Sequence, residues 1–258
     1  CQSLGMNVMF SKIPVDDASH AQKISPLFQE KSIDGLIIVG AVLADEFICD
    51  ALPKNFPIVF VDGCAEFGEY DKVLIDNFEG AYRIVSYLIE QGHQKIALLG
   101  SSSQHKQHPS ILERQRGYLA ALTDHNIEQS YIIDSTLELH VCSENLTQFL
   151  KQEPDTTAIF ACIDLVAVEM IPVIQGLGYS VPDQLSIVGF DDVDISSTCV
   201  PALTTINVDR GLMGKLAVRR LYNRSANLET VPITTRVGTR IINRQSVTSP
   251  TNPIIADG

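Results

Sequence analysis

Short apolar runs alternate along this chain with longer segments whose apolar residues recur every three to four positions. Strands are predicted at Asn7–Phe10, Gly35–Val39, Ile58–Val61, Val73–Ile75, Lys95–Leu99, Tyr131–Ile133, Ala158–Ala161 and Leu185–Phe190. The clearest helix is Phe78–Gln91, where Ala81, Ile84, Val85, Leu88 and Ile89 share one face and Gly92 supplies the stop. The same spacing predicts helices over Ser110–Leu122, Asp164–Gly176 and Arg210–Tyr222. Continuously apolar strands separated by helices indicate an α/β fold with parallel sheets covered on both faces. The strands are too many for one comfortable sheet, and 258 residues exceed the usual size of one core. Two consecutive doubly wound units, with a cleft between them, are therefore expected.

Charge narrows the choice of partner. With 31 acidic against 19 basic residues the net charge is −12, which opposes approach to a polyanion, because phosphate contacts require Lys and Arg. The six cysteines, Cys1, Cys49, Cys64, Cys142, Cys162 and Cys199, are scattered without a C-x-x-C pair or a dense framework. Reduced thiols in a cytoplasmic protein fit that usage, with Cys162 a small core residue. No apolar run is long enough to span a bilayer, so no membrane partner is expected.

The loops that carry common enzyme chemistry are missing from the sequence. No G-x-G-x-x-G follows a strand, and there is no G-x-x-x-x-G-K-[ST], G-x-S-x-G or H-E-x-x-H. His105 and His108 share a polar loop without an obvious carboxylate or thiol to complete a metal site, so neither metal nor cofactor is expected, and the chain reads as a non-enzyme. One apolar strand, however, ends abruptly in Asp191 and Asp192. In open α/β proteins ligands settle beyond the carboxyl ends of the strands, which makes this pair a candidate site mouth; the alternative is a solvated loop or helix cap.

Seven segments in order, DGLIIVG (Asp34–Gly40), PIVFVD (Pro57–Asp62), IDN followed by EGA (Ile75–Ala81), EQGHQKIALLG (Glu90–Gly100), ERQRGYLAAL (Glu113–Leu122), SIVGFDD (Ser186–Asp192) and PALTTI (Pro201–Ile206), closely resemble the lactose/galactose repressor family of bacterial transcription regulators. The resemblance extends from Asn7 to about Ser246. It implies two Rossmann-like lobes of the periplasmic-binding-protein type (type I) joined by three crossovers, the N-terminal lobe comprising 1–75 plus 208–238 and the C-terminal lobe 76–207 plus 239–258. Members of that family begin with a helix-turn-helix headpiece, a hinge helix, and the first strand and helix of the effector domain. Cys1–Gly5 matches the tail of that helix, so the resemblance implies a longer regulator whose DNA reader lies upstream.

The resemblance also implies site residues. Arg114, three residues before Gly117, matches the family's effector-clamping arginine, whose planar fork can grip two hydroxyls or a carboxylate. Asp191 matches the carboxylate that accepts hydrogen bonds from sugar hydroxyls or base nitrogens, Asp62 the corresponding mouth of the other lobe, and Ser110 a further contact on the Arg114 helix. Two positions depart from the family pattern. Ile163 stands where an Asn commonly holds sugar hydroxyls, and Leu137 falls where a stacking aromatic is common, which together favour a smaller or less hydroxylated effector. Asp164 is expected to be the N-cap of the helix it precedes.

The expected function is thus a sensor for a small metabolite, a sugar or sugar derivative, in a homodimeric regulator that touches operator DNA only through its headpiece. The alternative is a periplasmic sugar-binding transport receptor of the same two-lobed fold.

Overall fold

A computed structural model of the chain describes residues 5, 7–10, 33–43, 56–65, 69–102, 108–226 and 231–250. The chain divides into two units, Cys1–Ile75 with Asp209–Val237 and Asp76–Val208 with Gly238–Gly258, and so passes three times from one to the other.

The first unit is built on the parallel sheet β1-β3-β5-β11, formed by β1 (Leu36–Val39), β3 (Ile58–Val61), β5 (Asp71–Ile75) and β11 (Thr234–Val237). β2 (Val42–Leu43) and β4 (Cys64–Ala65) form a separate short parallel pair. Ile58, Phe60 and Ala65 form a small core with Leu36, Ile38, Phe56 and Tyr70 against them. The helix Arg210–Ser225 packs on β3 and β5, its start capped by Asp209, which accepts from the Leu212 amide at 2.8 Å.

The second unit carries the parallel sheet β7-β6-β8-β9, from β6 (Ile96–Ser101), β7 (Tyr131–Asp134), β8 (Ala158–Ala161) and β9 (Ser186–Val188). Its helices are α1 (Asn77–Glu90), α2 (Pro109–Asp124), α3 (Leu139–Gln152), α4 (Asp164–Gly176) and the short α5 (Asp194–Thr198); Arg210–Ser225 is then α6. One strand face, with Ala97, Leu99, Ile159 and Ile187, packs on Leu146, Leu150, Val166, Met170 and Ile174 of α3 and α4. The alternate residues Leu98, Phe160 and Val188, all fully buried, point to the other face. An antiparallel pair, β10 (Thr205–Asn207) with β12 (Arg240–Ile242), packs against α1.

Most predicted elements appear, with ends exact or shifted by one to three residues. Asn7–Phe10 does not form a strand: Val8, Met9 and Phe10 are exposed, and no described residue pairs with them. An isolated apolar run gains nothing from extension, since only a neighbour can satisfy its backbone groups. No helix among the described residues is long and apolar enough to cross a membrane.

Candidate functional site

The site grows from strand order. Beside β6, the chain leaves through α2 to β7 on one side and returns through α3 to β8 on the other, so the carboxyl ends of β6 and β8 flank a point where the winding reverses. In open α/β sheets ligands settle outside the carboxyl ends of the strands at such a point. Gly100, at φ +90°, lets β6 end beside Leu137 and Cys162: a methyl at its Cα would stand 3.1 Å from Leu137 Cδ2 and 3.3 Å from Cys162 Cβ. Beyond β9 the backbone takes two positive φ values in succession, 116° at Asp191 and 52° at Asp192. Such conformations cost energy for a residue with a Cβ and persist only where surroundings enforce them. Here the Asp191 amide donates to the Ile206 carbonyl at 2.9 Å, while both Asp192 oxygens are engaged, by Arg244 Nη2 at 2.6 Å and Asn207 Nδ2 at 2.8 Å.

Arg114 and Asp191, expected from the resemblance to act together, are bonded to one another: Nη2 donates to Oδ1 at 3.0 Å. Arg114 also donates through Nε to Asn77 Oδ1 at 2.8 Å and through Nη1 to the Cys162 carbonyl at 2.5 Å. Its guanidinium carbon lies 3.7 Å from the Phe190 ring centroid, a cation–π contact with a fully buried ring. Arg114 is only 3% exposed, yet a guanidinium has five N–H groups and three are spent, which leaves two donors for a ligand. The Asp191 side chain is 27% exposed and is the more open of the pair.

Ser110 is buried one turn before Arg114 on α2, and its amide donates to His108 Nδ1 at 3.3 Å, so His108 is the cap of this helix. His105, the other histidine of that loop, lies outside the described residues. Ile163 follows the carbonyl that holds Arg114 and is half-buried, and Leu137 is exposed beside Gly100. These five residues, Arg114, Asp191, Ser110, Ile163 and Leu137, belong to the second unit. Asp62 belongs to the first, half-buried at the end of β3 with φ 48°, its amide donating to the Val73 carbonyl at 3.0 Å.

Asp164 does not cap α4 as expected. Ile163 occupies the N-cap position, and the Asp164 carboxylate turns instead to the far loop, accepting from the Val193 amide at 3.0 Å, Ser196 Oγ at 2.7 Å and Thr205 Oγ1. It thereby fixes the segment directly after Asp191–Asp192. Asn77, Asn207, Phe190 and Arg244 also shape the site without having been singled out for it. Asn77 lies in the IDN segment, but nothing in spacing tells that its side chain will meet Arg114 on another helix. Cys162 is fully buried, and burial pushes its thiol up to about 12, so it remains a neutral core residue.

Residues 85–247 match the model of the periplasmic binding protein-like domain family. An HTH-type transcriptional repressor PurR from Mannheimia succiniciproducens is 30% identical over 226 residues, covering 86% of this chain and 66% of the relative. The chain spans about three fifths to two thirds of the length of the curated relatives it matches. Among solved structures, a sugar-binding transcriptional regulator of the LacI family from Escherichia coli, complexed with phosphate, is 27% identical, with a TM-score of 0.74 over 89% of this chain and 82% of that one. A dimeric Lac repressor with a C-terminal deletion shares the fold, with a TM-score of 0.82 at 23% identity, over 97% of this chain and 90% of that one. The chain belongs to the periplasmic binding protein-like family, and within it is similar to repressors of the lactose/galactose type.

Proposed function

We propose that this chain is the metabolite-sensing part of a dimeric bacterial transcription regulator, taking a small carbohydrate or carbohydrate derivative at the crevice where Arg114 and Asp191 meet. The observation that carries this reading is the Arg114–Asp191 pair itself, buried on the arginine side and open on the carboxylate side at the carboxyl ends of parallel strands. A carboxylate held in place by a guanidinium accepts hydrogen bonds from vicinal hydroxyls, and the two unspent arginine donors complete a two-way polar edge. Ile163 and Leu137 supply an apolar border, which favours a smaller or less hydroxylated ligand. A ligand that binds one conformation of the chain more tightly than another shifts the balance between them, and only such differential affinity can alter how a regulator holds operator DNA.

Kinship to repressors supports a regulator over a secreted transport receptor. The coding sequence upstream of Cys1 discriminates the two: a helix-turn-helix supports the regulator, and a signal peptide overturns it. The sensing step is tested by thermal shift against a panel of sugars, deoxy sugars, sugar alcohols, sugar phosphates, nucleosides and nucleobases. A ligand specific to the folded state raises the melting temperature. Stabilisation that disappears in Asp191→Asn is the expected result, and indifference to the whole panel overturns the reading. Turnover of a stabilising compound would make the protein an enzyme instead.

A further inference from the structure

The three passages of the chain between its units fall after Ile75, after Val208 and after Val237, and each leads within a few residues to a partner of the Arg114–Asp191 pair or of its loop. Asn77 is the second residue beyond the first passage, 4% exposed, and its Oδ1 receives Arg114 Nε. Asn207 lies just before the second; its backbone bridges in parallel to Asp191, and its Nδ2 donates to Asp192. Arg240 lies just after the third and pairs with Asn207, and Arg244, two residues beyond β12, donates to Asp192.

The position of Asn77 makes this more than proximity. An asparagine at a helix start ordinarily accepts from its own helix's amides. The Asp76 cap of α1 makes no such side-chain bond, and the neighbouring Asn77 carboxamide is directed to Arg114 on another helix. Asn207 likewise spends its amide on the carboxylate next to Asp191 rather than on its own strand.

We infer that Asn77 and Asn207 are positioning residues that pass a displacement of the Arg114–Asp191 pair to the chain passages at 75–77 and 207–209. This deepens the sensor reading and rests on it. A ligand that draws Asp191 toward its hydroxyls pulls Arg114 by one bond and the 206–207 backbone by another, so the residues beside the first two passages move with the occupied site.

The test is hydrogen exchange by mass spectrometry on the whole chain, with and without the panel compound that stabilises it most. In the parent protein, that compound should slow exchange in peptides covering 76–80 and 204–210 as well as 186–193. Asn77→Ala should still bind, within about tenfold, but lose at least about half of the ligand-induced slowing at 76–80 while keeping it at 186–193. Asn77→Asp retains an acceptor for Arg114 Nε and should restore the response. Asn207→Asp loses the donor, sets two carboxylates together and should not restore what Asn207→Ala removes at 204–210. A merely structural role would speed exchange equally with and without ligand, leaving the difference intact, and that outcome overturns the inference while the sensor reading stands. Failure of every panel compound to stabilise the parent overturns the sensor reading, and this inference with it.

Discussion

Phe190 and Asp191, adjacent in sequence, hold the same guanidinium from two directions: the ring lies 3.7 Å beneath Arg114 and the carboxylate accepts from its edge at 3.0 Å. The positive φ of Asp191 is what allows consecutive side chains to converge in this way. Cation–π contact and ion pairing both strengthen when water is excluded, so the 3% exposure of Arg114 makes the arrangement stiff.

Removing the arginine should therefore damage binding and stability together. Arg114→Ala leaves Asn77, the Cys162 carbonyl and Asp191 without their shared donor, and truncating one partner of a buried charged hydrogen bond costs about 2–5 kcal/mol. Ligand affinity should fall at least about tenfold by calorimetry. Arg114→Lys should fare little better, since an ammonium on a flexible stem cannot meet three acceptors in one plane. Unchanged affinity in either variant would remove Arg114 from the site.

Asp164 is expected to matter through the loop it holds. Asp164→Asn replaces one of two accepting oxygens with a donor that faces other donors, the Val193 amide with Ser196 Oγ or Thr205 Oγ1. A loss on the order of 1–3 kcal/mol should appear in urea unfolding, because buried donors left unmatched forfeit their hydration. A change within about 0.5 kcal/mol, the level of an ordinary surface substitution, would show that the carboxylate does not anchor this segment.

How much of this was legible in the sequence depended on whether the cause was local. β8 and α4 were read with both ends correct, because four continuous apolar residues and a long apolar period leave little choice. β10, β11 and β12 were not read: TIN, TTRV and RII are short and mixed in polarity, and become strands only because distant partners lie alongside, Thr205 opposite Ile242 and Thr234 opposite Lys72. The Arg114–Asp191 pairing was implied by family resemblance alone, since 77 residues separate the two and nothing in periodicity brings them together. Asp164 shows the limit most plainly. Its place at a helix start made a cap the natural expectation, but Gly189, where any Cβ would collide with Asp164 Oδ1, lets the chain after β9 pass close by, and Val193, Ser196 and Thr205 take the carboxylate instead.

Gly117 should tolerate no side chain. On α2 it faces the backbone carbonyl of Phe78 on α1, which a methyl would strike, along with Ala81 Cβ at 2.9 Å. Gly117→Ala should destabilise by about 1–3 kcal/mol through overpacking. It should also weaken ligand binding, because the helices it parts carry Arg114 and Asn77, one turn and one residue away respectively. Wild-type stability by thermal unfolding would contradict the packing seen between α1 and α2.

In the first unit, Asp71 is fully buried and accepts from Arg220 Nε at 2.6 Å and the Ile233 amide at 2.9 Å, while Arg224 Nε lies 2.9 Å from its other oxygen. One carboxylate thus ties two turns of α6 to β5 and to the segment entering β11. Asp71→Asn preserves the volume but strands two guanidinium groups, and breaking a buried ion pair from one side costs about 3–5 kcal/mol. Arg224 is the more exposed partner, so Arg224→Ala should cost distinctly less than Arg220→Ala. Equal losses in denaturant unfolding would contradict this ranking.

His93 gives a pH dependence whose sign is fixed by burial. It is 1% exposed in the turn between α1 and β6, its Nδ1 lies 3.0 Å from Thr157 Oγ1, and desolvation lowers its pKa to about 4 from 6.5. Between those values the unfolded chain binds a proton that the folded one refuses, so stability rises with pH across the window. The stabilisation is complete above about pH 6.5 and is lost as pH falls toward about 4, a change on the order of 3 kcal/mol. Carboxylates titrate in part of the same range, so the diagnostic is the difference between the parent and His93→Gln, measured by urea unfolding from about pH 4.5 to 7. The variant should be less stable at neutral pH, where it lacks the fitted imidazole, but lose less on acidification. Parallel stability–pH curves for the two proteins would show that His93 is not the group being forced to charge.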